Sequence, residues 1–81
     1  MRIDKAVALL AHGFRKEALE ELNVVISKDE KNTKALFYKA LTLVEMNGNL
    51  SEAKEILQAL KTGNHPFREK AAGLLEKLES K

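Results

Sequence analysis

The chain repeats itself, and that repeat limits what it can fold into more than any other feature. Lys5-Ala6-Val7-Ala8-Leu9-Leu10 returns 34 residues later as Lys39-Ala40-Leu41-Thr42-Leu43-Val44, and 31 residues after that as Lys70-Ala71-Ala72-Gly73-Leu74-Leu75. A second segment recurs between these copies. Gly13-Phe14-Arg15-Lys16-Glu17-Ala18 matches Gly48-Asn49-Leu50-Ser51-Glu52-Ala53 at a shift of 35. One extra residue therefore sits in the second turn, near Asn47, and the connection before the third copy is shortened. A period of roughly 20 to 50 residues marks a small unit that cannot bury its apolar face alone and stacks on its neighbours.

The spacing of apolar residues within the copies is helical. No run alternates apolar and polar residues as a half-buried strand does. Glycines and asparagines divide the chain into five helical segments, about Ile3 to Ala11, Arg15 to Ser27, Lys34 to Met46, Ser51 to Leu60, and a last one from near Pro66. Gly13 suits the left-handed residue that closes a helix. Asn32 or Thr33 can cap the third segment, and Asn49 or Ser51 the fourth. Pro66 fits the first turn of the fifth. In the second segment Ala18, Leu22 and Val25 fall on one face; in the fourth Ala53, Ile56, Leu57 and Leu60 do so. Phe67, Ala71, Leu74, Leu75 and Leu78 make a single stripe on the fifth, as expected of a helix that closes one end. On the third, Leu36, Phe37, Ala40, Leu41, Leu43 and Val44 fill a broad arc, leaving Tyr38, Lys39, Thr42, Glu45 and Met46 on the other side.

A helix-turn-helix unit of about 34 residues resembles the tetratricopeptide repeat. The resemblance covers nearly the whole chain. Its most specific part is the glycine turn followed by Glu17-Ala18 or Glu52-Ala53, with Leu22 or Leu57 four positions on. It implies an all-α fold of helix-turn-helix repeats stacked as a short right-handed solenoid, in one domain of residues 1–81. Repeat 1 covers about 1–31, repeat 2 about 32–64 and a capping helix about 65–80. The family's aromatic residue near the start of the unit is missing at Arg2 and Ile3, and its inter-repeat proline is present only as Pro66. The resemblance also implies a function, the binding of a peptide or partner helix, with each repeat's first helix lining a concave groove. Carried through the internal repeat, the groove residues are Asp4, Ala8, Ala11 and His12 in the first copy; Tyr38, Thr42, Glu45 and Met46 in the second; and Glu69, Gly73 and Glu76 in the third. Ala8, Thr42 and Gly73 would form a row of small residues edged by acids, suited to a basic and apolar ligand. Some family members hold acidic C-terminal tails in a basic clamp; here Asp4 and Ala8 stand at two of its positions.

Composition and spacing argue against several other functions. The 14 basic and 12 acidic residues leave a net charge of +2, with the signs interleaved rather than gathered into the basic stripe of a nucleic-acid binder. A pentatricopeptide-like RNA reader, with a similar period, would need a recurring polar residue in each first helix, and none recurs. There is no cysteine, hence no disulfide or thiolate metal site. His12 and His65 stand far apart without a histidine three or four residues away, the spacing a helix would need for a metal pair. Glu20 and Glu21 are adjacent, so they diverge on a helix. No phosphate-cradling glycine loop is present. The reading is a non-enzyme without a cofactor. No stretch approaches the roughly 20 apolar residues of a membrane span, and the opening Met1-Arg2-Ile3-Asp4-Lys5 lacks a signal peptide's apolar run, so a cytoplasmic location is expected. Ile3, Val7 and Leu10 have little to lean on at the first end, which leads to the expectation of a homodimer or a longer array covering it. A homo-oligomeric assembly unit without a separate ligand is the alternative function, with a pentatricopeptide-like RNA binder ranked behind it.

Overall fold

The computed structural model describes residues 2–79, with side chains from residue 5 onward. Within them the chain is all-α. Five helices follow one another: α1 (Arg2–Ala11), α2 (Arg15–Lys28), α3 (Thr33–Glu45), α4 (Leu50–Thr62) and α5 (Arg68–Glu79). Each packs on its sequence neighbours, and α1 also reaches α3. The thinnest dimension, 18 Å, is about the thickness of two helices side by side. The boundaries agree with the sequence expectation to within two residues.

The turns explain why the helices stop where they do. Gly13 takes a φ of +86°. Its N–H donates to the carbonyl of Leu10 at 3.0 Å, and that of Phe14 to Leu9 at 2.8 Å. These two bonds satisfy carbonyls that the end of α1 would otherwise leave open, in the Schellman arrangement. α3 ends the same way, with Asn47 in place of glycine at a φ of +55°. Asn47 N–H donates to Val44 at 3.1 Å and Gly48 N–H to Leu43 at 3.0 Å. The closing residues Gly13 and Asn47 are thus 34 apart, whereas α2 and α4 begin 35 apart. Phe14 both closes the first motif and precedes α2. In the second turn Gly48 and Asn49 divide those roles, which accounts for the extra residue.

The start signals are local as well. Asn32 accepts from Ala35 N–H at 3.1 Å and Asn49 from Glu52 N–H at 3.0 Å, so the asparagines, not Thr33 or Ser51, are the caps. Pro66 departs from expectation. α5 begins at Arg68, and Pro66 and Phe67 belong to the turn before it. The reason is His65: its Nδ1 accepts from Phe67 N–H at 3.2 Å, while its carbonyl accepts from Arg68 N–H, also at 3.2 Å. The first helical bond of α5 then runs from Ala71 N–H to Phe67, at 2.8 Å. Gly63 gives the His65 ring room, because a Cβ there would lie 2.7 Å from it and the ring would have to shift.

Two apolar clusters hold the helices together. Phe37, Ala40 and Leu43 of α3 meet Ala53, Leu57 and Leu60 of α4 and Ala71 and Leu75 of α5. Phe37 and Phe67 stack with centroids 5.5 Å apart, and Lys70 lies 5.7 Å from the Phe67 centroid. Ala6, Ala18, Leu22 and Ala35 form the second cluster, between α1, α2 and α3. Tyr38 packs against both.

Candidate functional site

The surface implied by the repeat lies on α1, α3 and α5. Ala8 and Ala11 on α1 and His12 directly after it are exposed; the side chain of Asp4 lies outside the described residues. Helical spacing puts Ala8, Ala11 and His12 on one face, and the turn at Gly13 ends the helix directly after them. On α5, Glu69, Gly73 and Glu76 recur at intervals of four and three, and all are exposed. A Cβ added at Gly73 would meet nothing within 4 Å, so this glycine is not there to admit a neighbouring helix of the same chain.

α3 corrects the expectation. Thr42 is not on a surface: it is 0% exposed and among the largest fully buried side chains. Its hydroxyl donates to the carbonyl of Tyr38 at 2.7 Å, one turn back, so burial leaves no unpaired polar group. Tyr38 is half-buried, its ring edge-on to Phe37 at 5.5 Å. Lys39 is half-buried too, with its ammonium 3.0 Å from Glu52 of α4. Only Glu45 and Met46 are exposed, at the C-terminal end. The physical reason is position: α3 is packed by α2 and α4 and also by α1, so its apolar arc is wider than a wheel drawn for one buried face allows. The row of small residues is therefore interrupted, with Ala8 and Gly73 open and Thr42 closed.

Glu45 is also engaged. It accepts from Arg15 Nε at 3.1 Å across 30 residues of sequence, which ties the start of α2 to the end of α3. Arg15 was not singled out by the sequence, because a pair spanning two repeats leaves no local signature. Phe14, beside it, is the most exposed large apolar side chain among the described residues at 52%, ahead of Val24 at 39% and Met46 at 38%. A sequence signal for Phe14 did exist: it immediately precedes α2 where Asn49 precedes α4, an aromatic in place of a cap.

The remaining polar groups do not converge. Among the described residues, no three His, Cys, Asp or Glu side chains gather as a metal site. His12 sits at the end of α1 and His65 in the turn before α5, where its Nδ1 is occupied by Phe67 N–H. Lys5 lies 3.7 Å from Glu21, joining α1 to α2. Among the described residues, no helix is long and apolar enough to cross a membrane. Comparisons with protein-family models, with curated proteins and with solved structures found no match.

Proposed function

We propose that the chain is a protein-interaction module of the tetratricopeptide type, a short solenoid presenting the outward faces of α1 and α5 and the C-terminal end of α3 to a peptide or helix of a partner protein. One observation carries the reading: the repeat in the sequence is also a repeat in burial. Ala6, Ala40 and Ala71, Ala18 and Ala53, and Leu22 and Leu57 occupy corresponding places in their copies, and all are 0% exposed. Repeats that stack in this way form extended surfaces that bind other chains. The exposed residues of that surface are mostly small or acidic: Ala8, Ala11 and Gly73, with Glu45, Glu69 and Glu76, and with His12 and Met46 at the helix ends. This chemistry suits a ligand carrying Leu-type and Lys or Arg side chains.

Titration of isotope-labelled protein with amphipathic Leu/Lys peptides tests the reading by chemical-shift mapping. Shifts should concentrate on α1, α5 and the Glu45-Met46 end of α3. Gly73→Arg, placed in open space, should abolish them with helicity unchanged. Shifts confined to α2 and α4, or none at millimolar peptide, would reject the groove. Thr42→Arg is unsuitable as a probe because it buries a guanidinium.

The second reading, a homo-oligomeric assembly unit, draws on the exposed apolar side chains Phe14, Val24 and Met46. Light scattering across a range of concentrations decides it, since a mass that stays monomeric throughout removes it.

A further inference from the structure

We propose that Asn47 is a spontaneous deamidation site whose reaction is gated by the last turn of α3. Asn47 and Gly48 are both exposed. Deamidation requires the backbone nitrogen of the following residue to reach the asparagine Cγ. That approach is least hindered when the following residue lacks a Cβ. Of the five asparagines, only Asn47 precedes a glycine; Asn23, Asn32, Asn49 and Asn64 precede Val24, Thr33, Leu50 and His65.

The fold does not need this glycine. Gly48 is outside the left-handed region, and an added Cβ would make only ordinary contacts, 3.8 Å from Leu43 O and 3.9 Å from Leu43 Cδ2. The conformational demand falls on Asn47 instead, at a φ of +55°. The fold does restrain the nucleophile: Gly48 N–H donates to Leu43 O at 3.0 Å. That bond must break before the nitrogen can turn toward Cγ, so the reaction passes through conformers in which the end of α3 has opened.

In the step itself, the Gly48 nitrogen bonds to Asn47 Cγ and the bond from Cγ to the side-chain nitrogen breaks. The displaced amide leaves as ammonia, taking the proton of the Gly48 N–H. Water then adds its hydroxyl to either carbonyl of the succinimide, breaks that ring C–N bond and returns a proton to the nitrogen, giving aspartate or isoaspartate. Either product puts a carboxylate at the C-terminal end of α3, where the helix dipole opposes it and the last turn holds Glu45 and no basic residue. Isoaspartate also inserts a methylene into the main chain between the two closing hydrogen bonds.

Incubation of the intact chain in warm, mildly alkaline buffer, followed by peptide mass mapping, tests this. The mass gain of about one dalton that accompanies amide hydrolysis should accumulate first at Asn47, and several-fold faster in urea-unfolded chain than in folded chain. Gly48→Ala should slow it several-fold with the circular dichroism unchanged. Asn47→Gly, which copies the Gly13 turn, should fold normally and remove the gain from that peptide. Earlier modification at another asparagine, or an undiminished rate in Gly48→Ala, would overturn the site. Equal rates in folded and unfolded chain would overturn the gating.

Discussion

The two helical hairpins, α1–α2 and α3–α4, bury the same alanines and leucine (Ala6 and Ala40, Ala18 and Ala53, Leu22 and Leu57), yet they are held by different means. Leu22 and Leu57 correspond and are both fully buried. Around Leu57 lie Phe37, Leu43, Leu60 and Leu75, drawn from three helices. Around Leu22 the fully buried companions are three alanines, Ala6, Ala18 and Ala35, and the larger side chains Val7, Leu9, Leu10, Val25 and Ile26 are only partly covered. α4 starts with a side-chain cap from Asn49; α2 starts at Phe14 with none. Val24, Val25 and Ile26 are consecutive, and at about 100° per residue a helix cannot turn all three inward. Val24 is left exposed. What differs is the neighbours: the second hairpin has helices on both flanks, α2 and α5, and the first has only α3. A repeat thus fixes the inward alanines and leucines, while its place in the stack decides how much they contribute and whether a position such as Thr42 is buried with them.

The sharpest way to break this comparison is to truncate the two leucines. Leu57→Ala should cost about 3–4 kcal/mol and Leu22→Ala about 2–3 kcal/mol, the latter less because its partly exposed surroundings can collapse into the space. Urea unfolding of both variants measures this, and equal losses would show the two clusters to be equivalent. Native-state hydrogen exchange should agree, with α1 amides exchanging before those of α4.

The caps provide a smaller contrast. Asn49→Ala should cost about 1 kcal/mol, since Glu52 N–H loses its acceptor. Phe14→Ala removes no cap, and a comparable loss there by thermal denaturation would mean that Phe14 has a structural role its exposure does not suggest. Gly73→Ala should stabilise α5 by roughly 0.5–1 kcal/mol, because it removes helix-interior glycine entropy and meets no neighbour. A destabilised variant would show that Gly73 is packed more closely than its open surroundings imply. The smallest effect belongs to the link between the hairpins. Arg15 and Glu45 are both well solvated, so Glu45→Gln should change stability by less than about 0.5 kcal/mol, and by nothing measurable at high salt.

Much of the fold was legible because it is written in short-range chemistry. Gly13 ends α1, and Asn32 and Asn49 start α3 and α4, through bonds that close within three to five residues. A linear pattern contains such bonds entirely. The exposure of the expected surface residues was legible where a helix has one exposed face. Ala8 and Ala11 on α1, His12 just after it, and Glu69, Gly73 and Glu76 on α5, placed there by carrying the face through the repeat, are exposed. It was not legible on α3. There Thr42 was expected on the surface, and it is buried because its helix is packed from several directions and its hydroxyl finds the Tyr38 carbonyl.

By itself, then, the sequence determined the five helices, through signals within a turn or two of one another, and the equivalence of their buried alanines and leucines, through the repeat; it narrowed the caps of α3 and α4 to two candidates each. The start of α5 at Arg68 is also set locally, by the His65 bonds to Phe67 and Arg68, although the proline pattern pointed two residues earlier. The tertiary structure alone decided that Thr42 is interior and that Arg15 reaches Glu45. Both depend on which helices flank α3 and how far apart their ends lie. These are distances in space that no spacing along the chain encodes.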